Sequence, residues 1–320
     1  ARRRGAPRPR GGPRAGAARV IVPGLVNAHV HLEIPRVATP RQQGFRAWVS
    51  ALKAGEPASR ATFDTNLATA RALGTAAVVD VSNRGFVGDL PGLYQHEFYG
   101  IDQEPALPPR AIPHAPFSTA AATIVGCARL AEAEGRAWSM HCDEDPDERT
   151  FVATGTGPWA DSMRAGGRDL SRFVPFPGTP VAYLDHLGVV SPRTLLVHCV
   201  LTGPADLDTI ARRGAAIAVC PRSNLHITGR LPDVPAMLGR GIPVCIGTDS
   251  LSSTPDLDLL GEVVALREAV PEVPLLTWLD ALTTTPRRWL GLAAVPSLEL
   301  SANSLDELFS GAPVQRRWVA

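Results

Sequence analysis

Lysine is almost missing from this chain of 320 residues: Lys53 is the only one, and 31 of the 32 basic residues are arginine. No stretch of about 18 uncharged apolar residues occurs, which argues against a membrane-spanning helix. The first residues are Arg, Gly and Pro without an apolar core, so no secretory leader is expected there. The five cysteines are odd in number and include no C-x-x-C, which argues against a disulfide framework or a zinc–cysteine site. Buried reduced thiols in a cytoplasmic protein are expected instead. No G-x-G-x-x-G follows a strand-like run, so nothing supports dinucleotide binding.

Charge is unevenly placed. Residues 1–19 carry seven arginines and no acid, while the rest holds 25 basic against 31 acidic residues. The body is therefore acidic, and no nucleic-acid or membrane partner is expected. Residues 1–19 read as a disordered Arg/Gly/Pro-rich segment. A composition of 45% hydrophobic and 20% charged residues suits a sizeable core.

Eight short apolar runs recur: Val20–Val26, Ala76–Val81, His96–Ile101, Ala111–His114, Ala137–Cys142, Thr194–Val200, Ala215–Cys220 and Pro243–Thr248. Continuous rather than alternating apolar runs suit parallel strands covered on both faces. Helical spacing separates many of them, as in Phe63–Leu73, Ala205–Arg213 and Asp256–Val270, and Ser118 or Thr119 can cap a helix running to Glu134. Gly74, Gly135, Gly214 and Gly241 close helical patterns just before strands. The expected fold is an α/β, (β/α)8 TIM-type barrel over residues 20–292. Residues 293–320 are short, and Ser304–Phe309 reads more like a helix turn than paired strands.

In such a barrel the chemistry gathers at the C-terminal strand ends. His29, His31, His114, His141 and His198, five of the eight histidines, fall there with Asp249. His29 and His31 stand at i and i+2, on one side of a strand. With His141 and Asp249 they can form a four-ligand site for one divalent ion, most simply Zn2+, with Fe2+ also suited. Glu144, three residues after His141, is placed to shuttle protons if both lie on one turn. His198 is assigned to polarising the substrate and holding the hydroxide, with metal ligation as the lesser alternative.

The order of these motifs resembles the aminohydrolase branch of the amidohydrolase superfamily. The carrying segments are Pro23–His31, His141-Cys142-Asp143-Glu144, Val197-His198-Cys199, Cys220–Asn224 and Gly247-Thr248-Asp249-Ser250. The resemblance implies a metal-dependent hydrolase in which Glu144, His198 and Asp249 are catalytic. Members usually add a small β-sandwich from segments flanking the barrel; with residues 293–320 so short, that sandwich is expected to be missing or rudimentary, and 293–320 its remnant. Two-metal members commonly bridge their ions with a lysine near the fourth strand; that place carries His114 here, so one ion is implied.

Pro113–Ser118 resembles a segment of adenosine-type deaminases in which the histidine touches the nucleoside. His31-Leu32-Glu33, Gly44–Trp48 and Pro180–Gly188 are similar to proteins grouped with aminodeoxyfutalosine deaminase. This implies a cytoplasmic, zinc-dependent deaminase of an aminopurine nucleoside-like small molecule. The implied substrate contacts are His114, Glu33, Trp48, Glu148, Asn224 and Ser250. A homodimer is left open. The alternative is a hydrolase of a non-nucleoside ring: a guanine- or triazine-type deaminase, a chlorohydrolase or a cyclic amide hydrolase. Residues 33–58, with Phe45 and Trp48 at i and i+3, are expected either to pack on the barrel or to cover the substrate.

Overall fold

The computed structural model describes residues 19–319. The expectation of a disordered tail therefore falls outside the described residues, apart from Arg19. Strands are β1 (Val20–Pro23), β2 (Leu25–Val30), β3 (Thr75–Ser82), β4 (Gly92–Phe98), β5 (Ala111–Pro113), β6 (Trp138–Cys142), β7 (Thr194–His198), β8 (Ala216–Val219), β9 (Val244–Ile246), β10 (Ser297–Leu300) and β11 (Arg316–Val319).

Strands β2 to β5 and β6 to β9 form two four-stranded parallel sheets, each in chain order. Every residue of β2, β3, β6, β7 and β8 is buried, as expected where helices cover the outside and packed side chains fill the inside. Single hydrogen bonds stitch the two seams. The amide of His141 donates to the His114 carbonyl at 2.9 Å, and that of Asp249 to the His29 carbonyl at 3.0 Å. The result is the (β/α)8 barrel.

The second seam depends on Gly247. A Cβ there would lie 2.7 Å from both the backbone N and O of His29, so only glycine lets the strand end approach β2. Asn27 fastens the same seam: its side-chain amide donates to Thr248 Oγ1 at 2.8 Å and accepts from the Thr248 amide at 3.1 Å.

The run Val20–Val26, expected as one strand, is two. Gly24 bonds Pro296 through its amide (2.9 Å), whereas Leu25 bonds Gly74 (3.0 Å), so the chain changes sheets between them. Strand β1 pairs with β10, and β10 with β11, in a small antiparallel sheet beside the barrel. A small flanking layer is thus present among the described residues. Between β10 and β11 the chain makes the short helix Leu305–Leu308, capped by Ser304.

Helix α1 (Phe45–Ala54) follows β2, and α2 (Arg60–Ala72) leads to β3. Helix α3 (Ala121–Ala133) begins later than its expected caps allow, with Ala120 at the N-cap and no side-chain cap. The hydroxyls expected to cap it are engaged elsewhere: Ser118 Oγ bonds His114 Nδ1 at 2.6 Å, and Thr119 Oγ1 donates to the Phe98 carbonyl at 3.3 Å. Among the described residues no helix is long and apolar enough to cross a membrane, and all five cysteines are buried and free.

Candidate active site

Four side chains converge at the C-terminal mouth of the barrel. His29 and His31 come from the end of β2, His141 from β6, and Asp249 from the turn after β9. Ligand nitrogens of the three histidines lie within 4.8 Å of one another. Asp249 Oδ1 stands 3.7 Å from His29 Nε2 and 3.6 Å from His31 Nε2. Its other oxygen accepts hydrogen bonds from Ser223 (2.6 Å) and Ser253 (3.1 Å), which aims Oδ1 at the imidazoles. Asp249 holds φ at +61°, a strained setting typical of functional positions.

Backbone carbonyls set the imidazole tautomers. His31 Nδ1–H donates to the Val81 carbonyl and His141 Nδ1–H to the His114 carbonyl, both at 3.0 Å. Their Nε2 atoms, 3.3 Å apart, then turn lone pairs toward the cluster. His29 is fully buried and neither ring nitrogen has a hydrogen-bond partner. Burial drives its pKa down to about 4, so it is neutral and able to ligate. Burial opposes the charge on Asp249, but His29, His31 and His198 outweigh it and hold the carboxyl well below its usual range. Three imidazoles around one carboxylate, with orphaned buried nitrogens on His29, are the donor set of a divalent-metal site.

Glu144 and His198 face this cluster together, with Glu144 Oε2 3.7 Å from His198 Nε2. Burial first, then the charges of Asp249, Asp145 and Glu148, push the Glu144 carboxyl well above its usual range. That environment suits a group that carries a proton. Glu144 does not share a helical turn with His141, as the spacing suggested. It lies in the bend before helix α4 (Pro146–Thr154), where Asp143 turns the chain with φ +58°. Arg149 clamps Asp143 with two bonds (2.5 and 2.6 Å), and Thr202 adds a third at 2.9 Å. His198 sits at φ +73°, and its Nδ1 accepts from Asn224 Nδ2 at 3.0 Å. That contact leaves the proton on Nε2, facing Glu144.

A cavity of about 500 Å³ opens above these groups. His31, His141, Glu144, His198 and Asp249 line its floor, and Phe45, Trp48, Phe117 and Trp159 are among its walls with His114. Phe45 and Trp48 of α1 stack with centroids 5.5 Å apart, and Trp48 Nε1 donates to the Ser252 carbonyl at 3.0 Å. The excursion after β2 thus packs on the barrel, and Phe45 and Trp48 line the cavity.

Four expected substrate contacts do not line the cavity and are engaged within the protein. Glu33 accepts from the amides of Asn83 (2.8 Å) and Arg84 (3.2 Å) and from Ser82 Oγ. Glu148 accepts from the Glu144 amide at 3.1 Å and so sits behind Glu144. Asn224 orients His198. Ser250 is buried beside Asp249, its carbonyl accepting from Ser253 and Thr254.

Residues missed by sequence reasoning are Glu97, Asn83, Phe117, Trp159 and Lys53, all on the cavity wall. Glu97, on β4, had a readable signal: an acid inside a run expected to be a buried strand. Burial works against its charge, but His114, His141 and His31 hold the carboxyl below its usual range.

Residues 100–299 match the amidohydrolase family. The chain belongs to that family. Among its relatives, an aminodeoxyfutalosine deaminase of Deinococcus radiodurans is 38% identical over 165 residues, half of this amidohydrolase chain and 40% of that protein. A 5-methylthioadenosine/S-adenosylhomocysteine deaminase of Nitratidesulfovibrio vulgaris is 26% identical, covering 92% of this chain and 74% of its own. The chain spans less than half the length of the Deinococcus relative in the matched region. Helicobacter pylori aminofutalosine deaminase in complex with methylthio-coformycin shares the fold with a TM-score of 0.80. That pair is 18% identical, with 94% of this chain and 85% of that chain superposed.

Proposed function

We propose that this amidohydrolase is a metal-dependent hydrolytic deaminase acting on an aminopurine nucleoside-like small molecule, with aminodeoxyfutalosine among the candidate substrates. The observation that carries the reading is the joint placement of a four-ligand cluster, a buried proton-holding Glu144 and an Nε2–H of His198 at the floor of one cavity. Aminodeoxyfutalosine, methylthioadenosine/S-adenosylhomocysteine and 5′-deoxyadenosine deaminases among the relatives support it.

His29, His31, His141 and Asp249 would hold one divalent ion, for which we favour zinc. Bound there, such an ion supplies a water acidified toward neutral pH and ready to attack carbon. Glu144, holding the proton given up by that water, passes it to the ring nitrogen, then takes the proton of the added hydroxyl and delivers it to the amine, which leaves as ammonia. His198 donates its Nε2–H to the oxygen that becomes the new oxo group. The carbon–nitrogen bond breaks, ammonia leaves, and the ring carries an oxo group where the amine stood. The aromatic walls exclude bulk water and take the flat faces of the ring. Five buried free thiols support a reducing, cytoplasmic setting.

Ammonia release across a panel of aminopurine nucleosides, free aminopurines and aminotriazines tests this. The nucleosides should be turned over, with matching formation of the oxo product. Activity confined to sugar-free rings would move the chain to the alternative hydrolase reading.

A further inference from the structure

Glu97 has a buried oxygen that the protein leaves without a hydrogen bond. One carboxylate oxygen, Oε2, accepts from Asn83 Nδ2 at 3.0 Å. The other, Oε1, lies 3.3 Å from His141 Nδ1. The proton on that nitrogen is directed to the His114 carbonyl, and Oε1 has no hydrogen-bond partner although its residue is only 6% exposed. Leaving a buried acceptor unsatisfied is costly, and the cost is larger for a charged group. Glu97 also lines the cavity, between His114 and His141. The site therefore offers an acceptor awaiting a donor.

Its position says which part of a ligand it meets. His141 turns Nε2 to the ligand cluster and Nδ1 to Glu97, so the carboxylate stands a full imidazole beyond the reacting centre. In an aminopurine nucleoside the amino-bearing carbon and the sugar likewise lie at opposite ends of the ring system. A purine has no ring N–H donor at its glycosylated end; the sugar hydroxyls supply donors there.

We propose that Glu97 is a specificity residue that accepts a hydrogen bond from a sugar hydroxyl of the nucleoside, with Asn83 holding the carboxylate in place. The proposal rests on the deaminase reading for its choice of ligand, but its geometry is independent of turnover.

The test pairs Glu97→Gln with substrates lacking one hydroxyl. For the metal-loaded wild type, kcat/KM should fall about ten- to a hundredfold from adenosine to its 2′-deoxy or 3′-deoxy analogue, whichever removes the contacted group. In Glu97→Gln, whose neutral amide oxygen accepts more weakly than a carboxylate, that ratio should shrink several-fold, with metal content unchanged. Fluorescence titration of the same two proteins with inosine, 2′-deoxyinosine and 3′-deoxyinosine reads the contact by binding alone. Should no aminopurine nucleoside be deaminated while the inosine series still discriminates through Glu97, the deaminase reading fails and the subsite stands. Equal hydroxyl discrimination in wild type and variant, or none in either, overturns the proposal. Loss of the metal in Glu97→Gln also overturns it, assigning Glu97 to the support of His141.

Discussion

Glu144 is the residue on which turnover should depend most sharply. Replacing it with Gln keeps shape and burial but removes the group that carries the proton. Glu144→Gln should bind its metal normally while kcat falls about 10²–10⁴-fold, as read by ammonia release beside elemental analysis. Near-wild-type turnover would take Glu144 out of the mechanism. His114 should behave differently. Its Nδ1 is engaged by Ser118, and its ring borders the cavity beside Phe45. His114→Ala should therefore raise KM about ten- to a hundredfold for nucleosides and leave the metal in place. Loss of the ion from that variant would make His114 a ligand. Most of these residues were legible as histidines and acids at strand ends. Asn224 was legible as part of a motif but not as the partner of His198, because a hydrogen bond between side chains of different elements has no signature in spacing.

At the scale of elements, the β-rich runs and the glycines before them placed every barrel strand to within a few residues. The start of the barrel was misread at Val20, since Val20-Ile21-Val22 and Leu25-Val26 are equally apolar and differ only in which sheet receives them. Gly24 makes that change possible: a Cβ there would meet Ala76 Cβ at 2.4 Å. Strand β4 was read four residues late because Gly92-Leu93-Tyr94-Gln95 mixes turn and strand residues, while Glu97 lay inside the run as read. The seam at Gly247 gives an element-scale prediction. Gly247→Ala should destabilise the fold by about 1–3 kcal/mol, through overpacking against the His29 backbone. It should also weaken metal binding, because His29 and Asp249 face each other across that seam. Thermal unfolding with and without added zinc measures both; an unchanged midpoint would show that the seam has slack.

For the whole molecule, the barrel brings β2, β6 and the turn after β9 to one point, and a ligand bound by all three should fasten them together. An ion at a hundred times its dissociation constant contributes about 2.7 kcal/mol to folding, so chelation should lower the unfolding midpoint and zinc should restore it. The small β1–β10–β11 sheet adjoins the start of β2, at the end of that strand opposite His29 and His31, and the tail before Arg19 lies outside the described residues. The stabilisation should therefore vanish in His29→Ala and Asp249→Ala without any change to that sheet. The most direct test of the central claim is metal add-back to the chelated protein, following nucleoside deamination against zinc bound per chain. Activity should rise linearly and level off at one equivalent, with His29→Ala and Asp249→Ala failing to recover. A requirement for two equivalents, or full activity without metal, would contradict it.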